Sequence, residues 1–283
     1  MNLDFYRTPV ALSDPGRQAA LFDDLPRGPD GLAGVVQGVL MHQHVASTYP
    51  VTLSGPQIEQ AHVRSVEEML TEIVARDARP LQAASAASER QVGVCRHFTL
   101  MHVAMLRRQG IPARARCGFA AYFSKAKHVD HWVTEYWNDM RGGWVLFDAQ
   151  LDAHQRALFK IPFDPADVPR DQFLVAGDCW HLCRTGKADP MDFGILDLFG
   201  WWMIAGNVVR DIAALNNHEM LPWDCWGPMP RPGEEPDFAL FDRLAVLSHA
   251  PDAHFDDLCE VYATTLAVPP QVMNAVRNRI EAV

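Results

Sequence analysis

Three side chains whose types cooperate in nucleophilic catalysis occur in order along the middle of the chain: Cys95, His131 and Asp148. A thiol becomes a strong nucleophile when an imidazole accepts its proton, and a carboxylate can hold that imidazole in the productive tautomer. Such a set forms a thioester with an acyl group, which then passes to water or to an amine. These residues therefore predict acyl-transfer chemistry, provided that the local structure brings them together.

Cys95 is predicted to lie in the first turn of a helix. Gly93 precedes a run in which apolar residues recur at helical spacing, namely Val94, Phe98, Met101 and Met105. The first turn of a helix carries unpaired N–H groups and the positive end of the helix dipole, and both favour a thiolate. The N–H of Cys95 is in addition a candidate donor to a developing oxyanion.

His131 and Asp148 are predicted to lie at neighbouring ends of two strands. Three runs have strand character: 113–119, 131–137 and 144–147. The turn residues Arg141, Gly142 and Gly143 separate the last two runs, which favours an antiparallel hairpin. His131 would then start one strand and Asp148 would end its neighbour, so that the two side chains come close.

The motifs around these residues resemble those of the transglutaminase-like superfamily. They are Gly93-Val94-Cys95-Arg96-His97-Phe98, Gly110-Ile111-Pro112-Ala113-Arg114, His131-Trp132-Val133-Thr134-Glu135-Tyr136-Trp137 and Gly143-Trp144-Val145-Leu146-Phe147-Asp148. The resemblance covers roughly 91–152. It implies an α+β fold in which a nucleophile helix packs on an antiparallel sheet and carries a papain-like triad. Cys95 would be the nucleophile, His131 the base and Asp148 the orienting acid.

Two positions depart from the family pattern. Many members have an Asp where His97 stands, and many have a small residue between the His and the Trp, whereas Trp132 follows His131 directly. His128 is the alternative base and Asp152 the alternative acid. Arg96 and His97 adjoin the nucleophile, but successive helical side chains point about 100° apart, which favours packing or hydrogen-bonding roles for them.

The rest of the chain is predicted to be mainly helical. The predicted helices cover 32–45, which includes His42 and His44, 54–76 with a capping box of Ser54 and Gln57, 172–184, 194–215, 238–247 and 255–266, with a tail helix after Pro270. A proline-rich linker at 228–236 suggests a catalytic domain over 1–227 and a helical C-terminal segment over 228–283 that packs on the same domain.

The composition is that of a soluble globular protein. The 283 residues are 48% hydrophobic and 21% charged, with a formal net charge of −10. That charge argues against nucleic acid or an anionic membrane as the main partner. The N-terminus lacks a signal-peptide pattern, so we expect a cytoplasmic protein whose six cysteines are reduced. We expect no cofactor, and the absence of a calcium-loop pattern argues against the calcium dependence of animal transglutaminases.

Two further sets of residues are candidate sites. The first would recognise substrate and consists of Trp132, Arg210, Asn216, Glu219 and Trp223; buried ion pairs and helix caps are the competing interpretation for this block. The second is Cys179, His181 and Cys183, whose spacing is not a common zinc pattern, so that buried thiols are favoured over a metal site. A second oxyanion donor is expected upstream of Cys95, without an assigned residue.

The prediction is thus thiol-dependent acyl transfer through a Cys95 thioester, which cleaves or forms an amide bond. The substrate would be a small-molecule or peptide acyl compound, with water or an amine as acceptor. The alternative is a catalytically silent binding protein that keeps the same fold.

Overall fold

The computed structural model describes residues 2–283, and helices and strands both contribute to it, which confirms the predicted α+β class. The helices are α1 Gly28–Val39, α2 Gly55–Glu59, α3 Val66–Arg76, α4 Cys95–Arg108, α5 Ala153–Phe159, α6 Ala176–Arg184, α7 Trp201–Leu215, α8 Phe238–His249 and α9 Phe255–Val261. The strands are β1 Leu40–His42, β2 Gln91–Gly93, β3 Ala113–Ala120, β4 His128–Asn138, β5 Gly143–Phe147, β6 Phe173–Val175, β7 Phe193–Ile195, β8 Leu198–Phe199, β9 Asp224–Cys225, β10 Gln271–Asn274 and β11 Arg279–Ala282.

The described chain forms two compact units. One contains 3–114 and 133–168 and is called the Cys95 unit below; the other contains residue 2, 115–132 and 169–283 and is called the His131 unit. Each unit is discontinuous in sequence because the chain leaves the first unit along β3 and returns to it along β4. The domain boundary expected at residue 227 stays a prediction.

The centre of the Cys95 unit is the contact between α4 and the hairpin of β4 and β5. The hairpin is antiparallel, with Thr134 opposite Phe147, which confirms the predicted pairing. His102 of α4 lies 3.1 Å from the Thr134 hydroxyl through Nδ1, and its ring centroid lies 4.8 Å from that of Phe147. A buried polar contact and a ring contact therefore fix the helix against the strands.

The expected helix over 32–45 is wrong in its second half. Helix α1 ends at Val39, and β1 follows, in parallel pairing with β2. His42 lies opposite Gly93 in this pairing, and the N–H of Gln43 donates to the Gly93 carbonyl at 2.9 Å. The backbone of this segment thus finds its hydrogen bonds in a second strand rather than in a longer helix, so His42 belongs to a strand.

The single helix expected over 54–76 is instead two helices. The predicted capping box is present at the start of α2, where the Ser54 N–H donates to Gln57 Oε1 at 3.0 Å. A second box at Ser65 starts α3, with the Glu68 N–H donating to Ser65 Oγ at 3.2 Å. The second capping box starts a new helix. The apolar periodicity that suggested one helix therefore extends over two helices with a break between α2 and α3.

In the His131 unit, short strands precede the two helices that were expected to begin earlier. Strand β6 pairs with β3 and β7 pairs with the start of β4, so that α6 and α7 begin only at Ala176 and Trp201. Gly194 allows the close approach of β8, since a Cβ there would lie 1.9 Å from the Leu198 carbonyl oxygen. Pairing between distant segments overrode the local helical pattern here.

The tail helix expected after Pro270 is wrong. The segment forms the antiparallel hairpin of β10 and β11, with Met273 opposite Ile280, and β10 also pairs with β9. Asn278 has φ +49°, the left-handed conformation that Asn adopts more readily than most residues. Helix α8 confirms the helix expected from Phe238, whereas α9 ends at Val261 and continues to Leu266 as a π-helical turn.

A buried ion pair joins β3 to α7 inside the His131 unit. Arg116 donates to both carboxylate oxygens of Asp211, at 3.0 and 2.9 Å, and both side chains are at least 98% buried. Asp211 also accepts the Cys117 N–H at 2.8 Å and the Ser248 hydroxyl at 2.7 Å. Asp211 adjoins Arg210 in the block for which buried ion pairs are the competing interpretation, and it forms such a pair.

Replacing Asp211 by Asn is expected to lower the free energy of unfolding by about 3 to 5 kcal/mol, because Arg116 would keep its charge without a buried counter-charge. Urea unfolding of the wild-type and variant proteins measures this difference. Asp167→Asn is the matched control, since Asp167 pairs with Arg141 at 2.9 Å on the surface, where such pairs contribute about 1 kcal/mol or less. Equal losses in the two variants would contradict the structural role assigned to the buried pair.

Candidate active site

Cys95 is the first residue of α4, as the sequence predicts. Val94 precedes it as the N-cap, with extended backbone at φ −124° and ψ 177°. The Cys95 side chain is 6% exposed. The thiol therefore lies at the end of the helix where unpaired N–H groups and the helix dipole favour negative charge.

The side chain of His97 holds this helix start in place. The Val94 N–H donates to His97 Nδ1 at 3.1 Å, and His97 Nε2 lies 3.0 Å from the Val63 carbonyl oxygen. Because Nδ1 accepts a hydrogen bond, the ring proton is on Nε2, which donates to Val63. The imidazole thus links the N-cap of α4 to the segment before α3.

His97 is uncharged and forms hydrogen bonds with backbone groups. Complete burial, and secondarily the charge of Arg96, lower its pKa to about 3. Gly93 allows the ring to pack there, since a Cβ at this position would lie 2.8 Å from His97 Cβ. The hydrogen-bonding role expected for His97 is correct. Its partner Val63 was missed, because the two residues are 34 positions apart and no local pattern connects them.

Asp148 and the alternative acid Asp152 have different surroundings. Asp148 follows β5 and is 1% exposed; its N–H donates to the Pro165 carbonyl at 2.9 Å, and its Oδ1 accepts the Gln150 N–H at 3.0 Å. Asp152 caps α5, accepting the Gln155 N–H at 2.9 Å and the Tyr49 hydroxyl at 2.8 Å. The cap and the tyrosine account for an Asp at 152, which leaves Asp148 as the better candidate acid.

His131 lies among aromatic rings in the His131 unit. It is 2% exposed, and its ring centroid lies 4.9 Å from that of Phe123, 5.9 Å from Tyr122 and 6.3 Å from Phe173. It does not start its strand as expected, because β4 begins at His128 through pairing with β7. His128, the alternative base, stacks on Phe193 with centroids 4.7 Å apart.

Comparison with known proteins identifies the core that carries these residues. The transglutaminase-like superfamily model matches residues 51–149, a segment that includes Cys95, His131 and Asp148. Residues 51–149 thus match a transglutaminase-like core domain. This confirms the resemblance drawn from the motifs and indicates a cysteine-dependent enzyme in general terms.

One solved structure is similar to the chain at low identity. It is a chain from Cytophaga hutchinsonii provisionally named a cysteine protease, with 18% sequence identity and a TM-score of 0.34. The alignment covers 53% of this chain and 43% of that chain, so this chain spans less than half of that structure's length. No curated protein matches the sequence.

The residues expected to recognise substrate lie in the His131 unit, outside the matched segment except for Trp132. Trp132 is 1% exposed, and strand alternation directs it to the face of β4 opposite to that of His131. Arg210 donates to Asn207 Oδ1 and to the Asp224 carbonyl, each at 3.1 Å. These contacts account for Arg210 structurally.

The other substrate candidates remain predictions. Asn216 donates through Nδ2 to the Ile212 carbonyl at 2.9 Å, one turn earlier on α7. Glu219 is fully buried and Trp223 is half-buried. Recognition of substrate by these three residues would thus require side chains that are buried or half-buried in the His131 unit.

The structure does not support the alternative metal site at Cys179, His181 and Cys183. Among residues 2–283, no group of three or more His, Cys, Asp or Glu side chains is arranged to hold a metal ion. Burial raises the pKa of both Cys179 and Cys183, the latter to about 12. Both are buried thiols, the interpretation favoured from the sequence.

Within residues 2–283, no helix has the length and apolar character needed to cross a membrane.

His97→Gln is expected to weaken the loss of stability in acid. The His97 pKa is about 3 in the folded protein and about 6.5 in an unfolded chain. Between these values the unfolded chain binds the extra proton, so stability is full above pH ~6.5 and falls on acidification, by up to about 1.4 kcal/mol per pH unit. Gln can make both hydrogen bonds without titrating. Urea unfolding between pH 7 and pH 4 measures the two slopes.

The control for this measurement is His154→Gln. His154 is exposed and contacts the Thr48 hydroxyl at 3.0 Å. Its replacement should leave the pH slope as in wild type. A His97→Gln protein with the wild-type slope would contradict the assignment of a buried neutral imidazole.

Proposed function

We propose that this protein catalyses thiol-dependent acyl transfer through a thioester at Cys95, by cleaving or forming an amide bond. The observation that carries the proposal is the position of Cys95 as the first residue of a buried helix within the transglutaminase-like segment. At that position the helix terminus stabilises a thiolate, and the Cys95 N–H is a donor for the oxyanion.

In the proposed reaction the Cys95 sulfur attacks the acyl carbonyl carbon, and His131 accepts the thiol proton. Collapse of the tetrahedral intermediate breaks the bond to the leaving group, which takes the proton from His131. Water or an amine then attacks the thioester and releases Cys95. Asp148 orients the imidazole and stabilises its protonated form. The substrate is a small-molecule or peptide acyl compound, and no cofactor takes part.

The hairpin register supports the choice of Asp148 as the acid in this proposal. The observed pairing of β4 with β5 reaches Thr134 opposite Phe147, so that Val133 and Asp148 come next along the two strands. Residues two apart share a strand face, and His131 precedes Val133 by two residues.

The second candidate is a binding protein that keeps the fold without turnover. It is favoured by the extensive burial of the proposed groups, since Cys95, His131 and Asp148 are each 6% exposed or less. Catalysis would require an opening through which a substrate reaches these buried side chains. The reactivity of the Cys95 thiol separates the two candidates.

Cys95 is expected to react with iodoacetamide fastest of the six cysteines at pH 6, well below the pKa of about 8.5 of an unperturbed thiol. The reason is that the helix terminus and His131 together favour its thiolate. Peptide mass spectrometry reads the alkylation of each cysteine separately against pH. His131→Ala should move the Cys95 profile towards higher pH, and Asp148→Asn should slow the reaction at least several-fold.

Two substitutions serve as controls. His128→Ala removes the other histidine of β4, and Asp164→Asn changes a cap whose Oδ1 accepts the Ala166 N–H at 3.1 Å. Neither should alter the profile. If Cys95 in wild type titrates like the remaining thiols, acyl transfer is contradicted and the binding protein is favoured. If His128→Ala rather than His131→Ala shifts the profile, the base is wrongly assigned.

A further inference from the structure

A small polar cavity lies inside the Cys95 unit, and its lining includes residues close in sequence to Cys95 and Asp148. Its volume is about 10 Å³, the room of one water-sized group. Its lining includes His42, Tyr49, Arg90, Phe98, Gln150 and Asp152. A cavity lined by so many polar groups favours a polar occupant.

Three connections tie this cavity to Cys95 and Asp148. Phe98 follows Cys95 by three residues and therefore lies on the same side of α4. His42 is paired across the strands with Gly93, two residues before Cys95. Gln150 donates its N–H to the Asp148 carboxylate at 3.0 Å. Part of the cavity lining thus belongs to the segments that carry the proposed nucleophile and acid, or pairs directly with them.

Gln150 lines this cavity and has a side-chain amide of fixed orientation. Gln155 donates through Nε2 to the Gln150 carbonyl at 3.0 Å, which leaves Gln155 Oε1 as an acceptor. Gln150 Nε2 donates to that oxygen at 2.9 Å. The amide orientation is therefore determined by the network, and Oε1 is the remaining polar atom of the Gln150 side chain.

Gln150 Oε1 is buried and has no hydrogen-bond partner within residues 2–283. The Gln150 residue as a whole is 3% exposed. A buried carbonyl oxygen without a donor is unfavourable, so the site gains free energy when a donor enters.

The remaining groups limit what that donor is. Asp152 contributes a carboxylate and Arg90 a guanidinium, so the charges of the lining oppose each other. His42 accepts the His44 N–H at Nδ1, at 3.3 Å, which makes it a neutral ring with its proton on Nε2. A lining of balanced charge favours an uncharged donor over a free ammonium ion.

We propose that this cavity is a subsite of the active site, in which Gln150 Oε1 accepts a hydrogen bond from the terminal hydroxyl, or from the terminal amide NH₂ group, of the acyl substrate. This inference rests on the proposed acyl transfer at Cys95 and specifies its substrate class: short acyl groups that end in an uncharged O–H or N–H donor. The same donor chemistry is available from a single buried water, which the test below separates from substrate recognition.

The test uses p-nitrophenyl esters in matched pairs. Hydroxyacetyl is compared with propionyl, and succinamoyl with levulinoyl, so that within each pair a hydroxyl or amino group replaces a methyl group. Attack by Cys95 forms the thioester, breaks the ester C–O bond and releases p-nitrophenolate, whose burst gives the rate of acylation. Rates without protein are subtracted, and kcat and KM are determined separately.

Wild type is expected to prefer the donor-bearing ester of at least one pair in kcat/KM by about threefold to tenfold, the contribution of one neutral hydrogen bond. In Gln150→Met, which removes the acceptor at similar side-chain size, that preference should fall to about the value for free cysteine with the same esters. The matched control is Gln109→Met. Gln109 also bonds to two backbone groups of this unit, the Gly28 N–H and the Pro26 carbonyl, and its loss should leave the preference unchanged.

The outcomes distinguish the two proposals. If wild type gives a Cys95-dependent burst without any preference, or if Gln150→Met keeps the preference, the cavity holds only water and the inference is overturned while acyl transfer stands. If no ester gives a burst that Cys95→Ser abolishes, the proposed function fails and the subsite falls with it. Circular dichroism and urea unfolding establish that each variant is folded before its kinetics are compared.

Discussion

The start of α4 depends on one hydrogen-bonded imidazole. His97 accepts from the N-cap of its own helix and donates to the Val63 carbonyl, so two segments distant in sequence meet at a single ring. Because the ring is completely buried, it stays neutral at physiological pH and adds no charge beside the thiol. The same packing requires Gly93, since a Cβ at this position would lie 2.8 Å from His97 Cβ.

This arrangement bears on the proposed chemistry through electrostatics. Where many family members have an Asp three positions along this helix, an ionised carboxylate would oppose a thiolate at Cys95. A neutral His can satisfy the same N-cap donor without that cost, which leaves the effect of the helix terminus on Cys95 undiminished. The substitution that looked like a departure from the family pattern is thus compatible with an activated thiol.

Two buried ion pairs elsewhere join segments that are distant in the sequence. In the His131 unit, Asp211 receives four donors from β3 and α8, and in the Cys95 unit Arg114 pairs with Glu135 at 2.7 Å while its guanidinium lies 3.9 Å from the Trp144 ring centroid. Breaking such a network leaves a buried charge uncompensated. Against this background, Gln150 Oε1 differs because its own network orients it without providing it a donor.

The sequence by itself determined the helix that begins at Cys95, the hairpin of β4 and β5, the α+β class and the resemblance to the transglutaminase-like superfamily, because each is encoded by local periodicity, turn residues or short motifs. It failed at β1, β6, β7 and the hairpin of β10 and β11, where segments with helical patterns became strands. Strand pairing depends on partners distant in the chain, and no local window contains them. The same reason explains why the His97 and Gln150 networks emerged only from the tertiary structure: Val63, Tyr49 and Gln155 acquire their roles through packing, whereas the types and spacing of Cys95, His131 and Asp148 are visible in the chain itself.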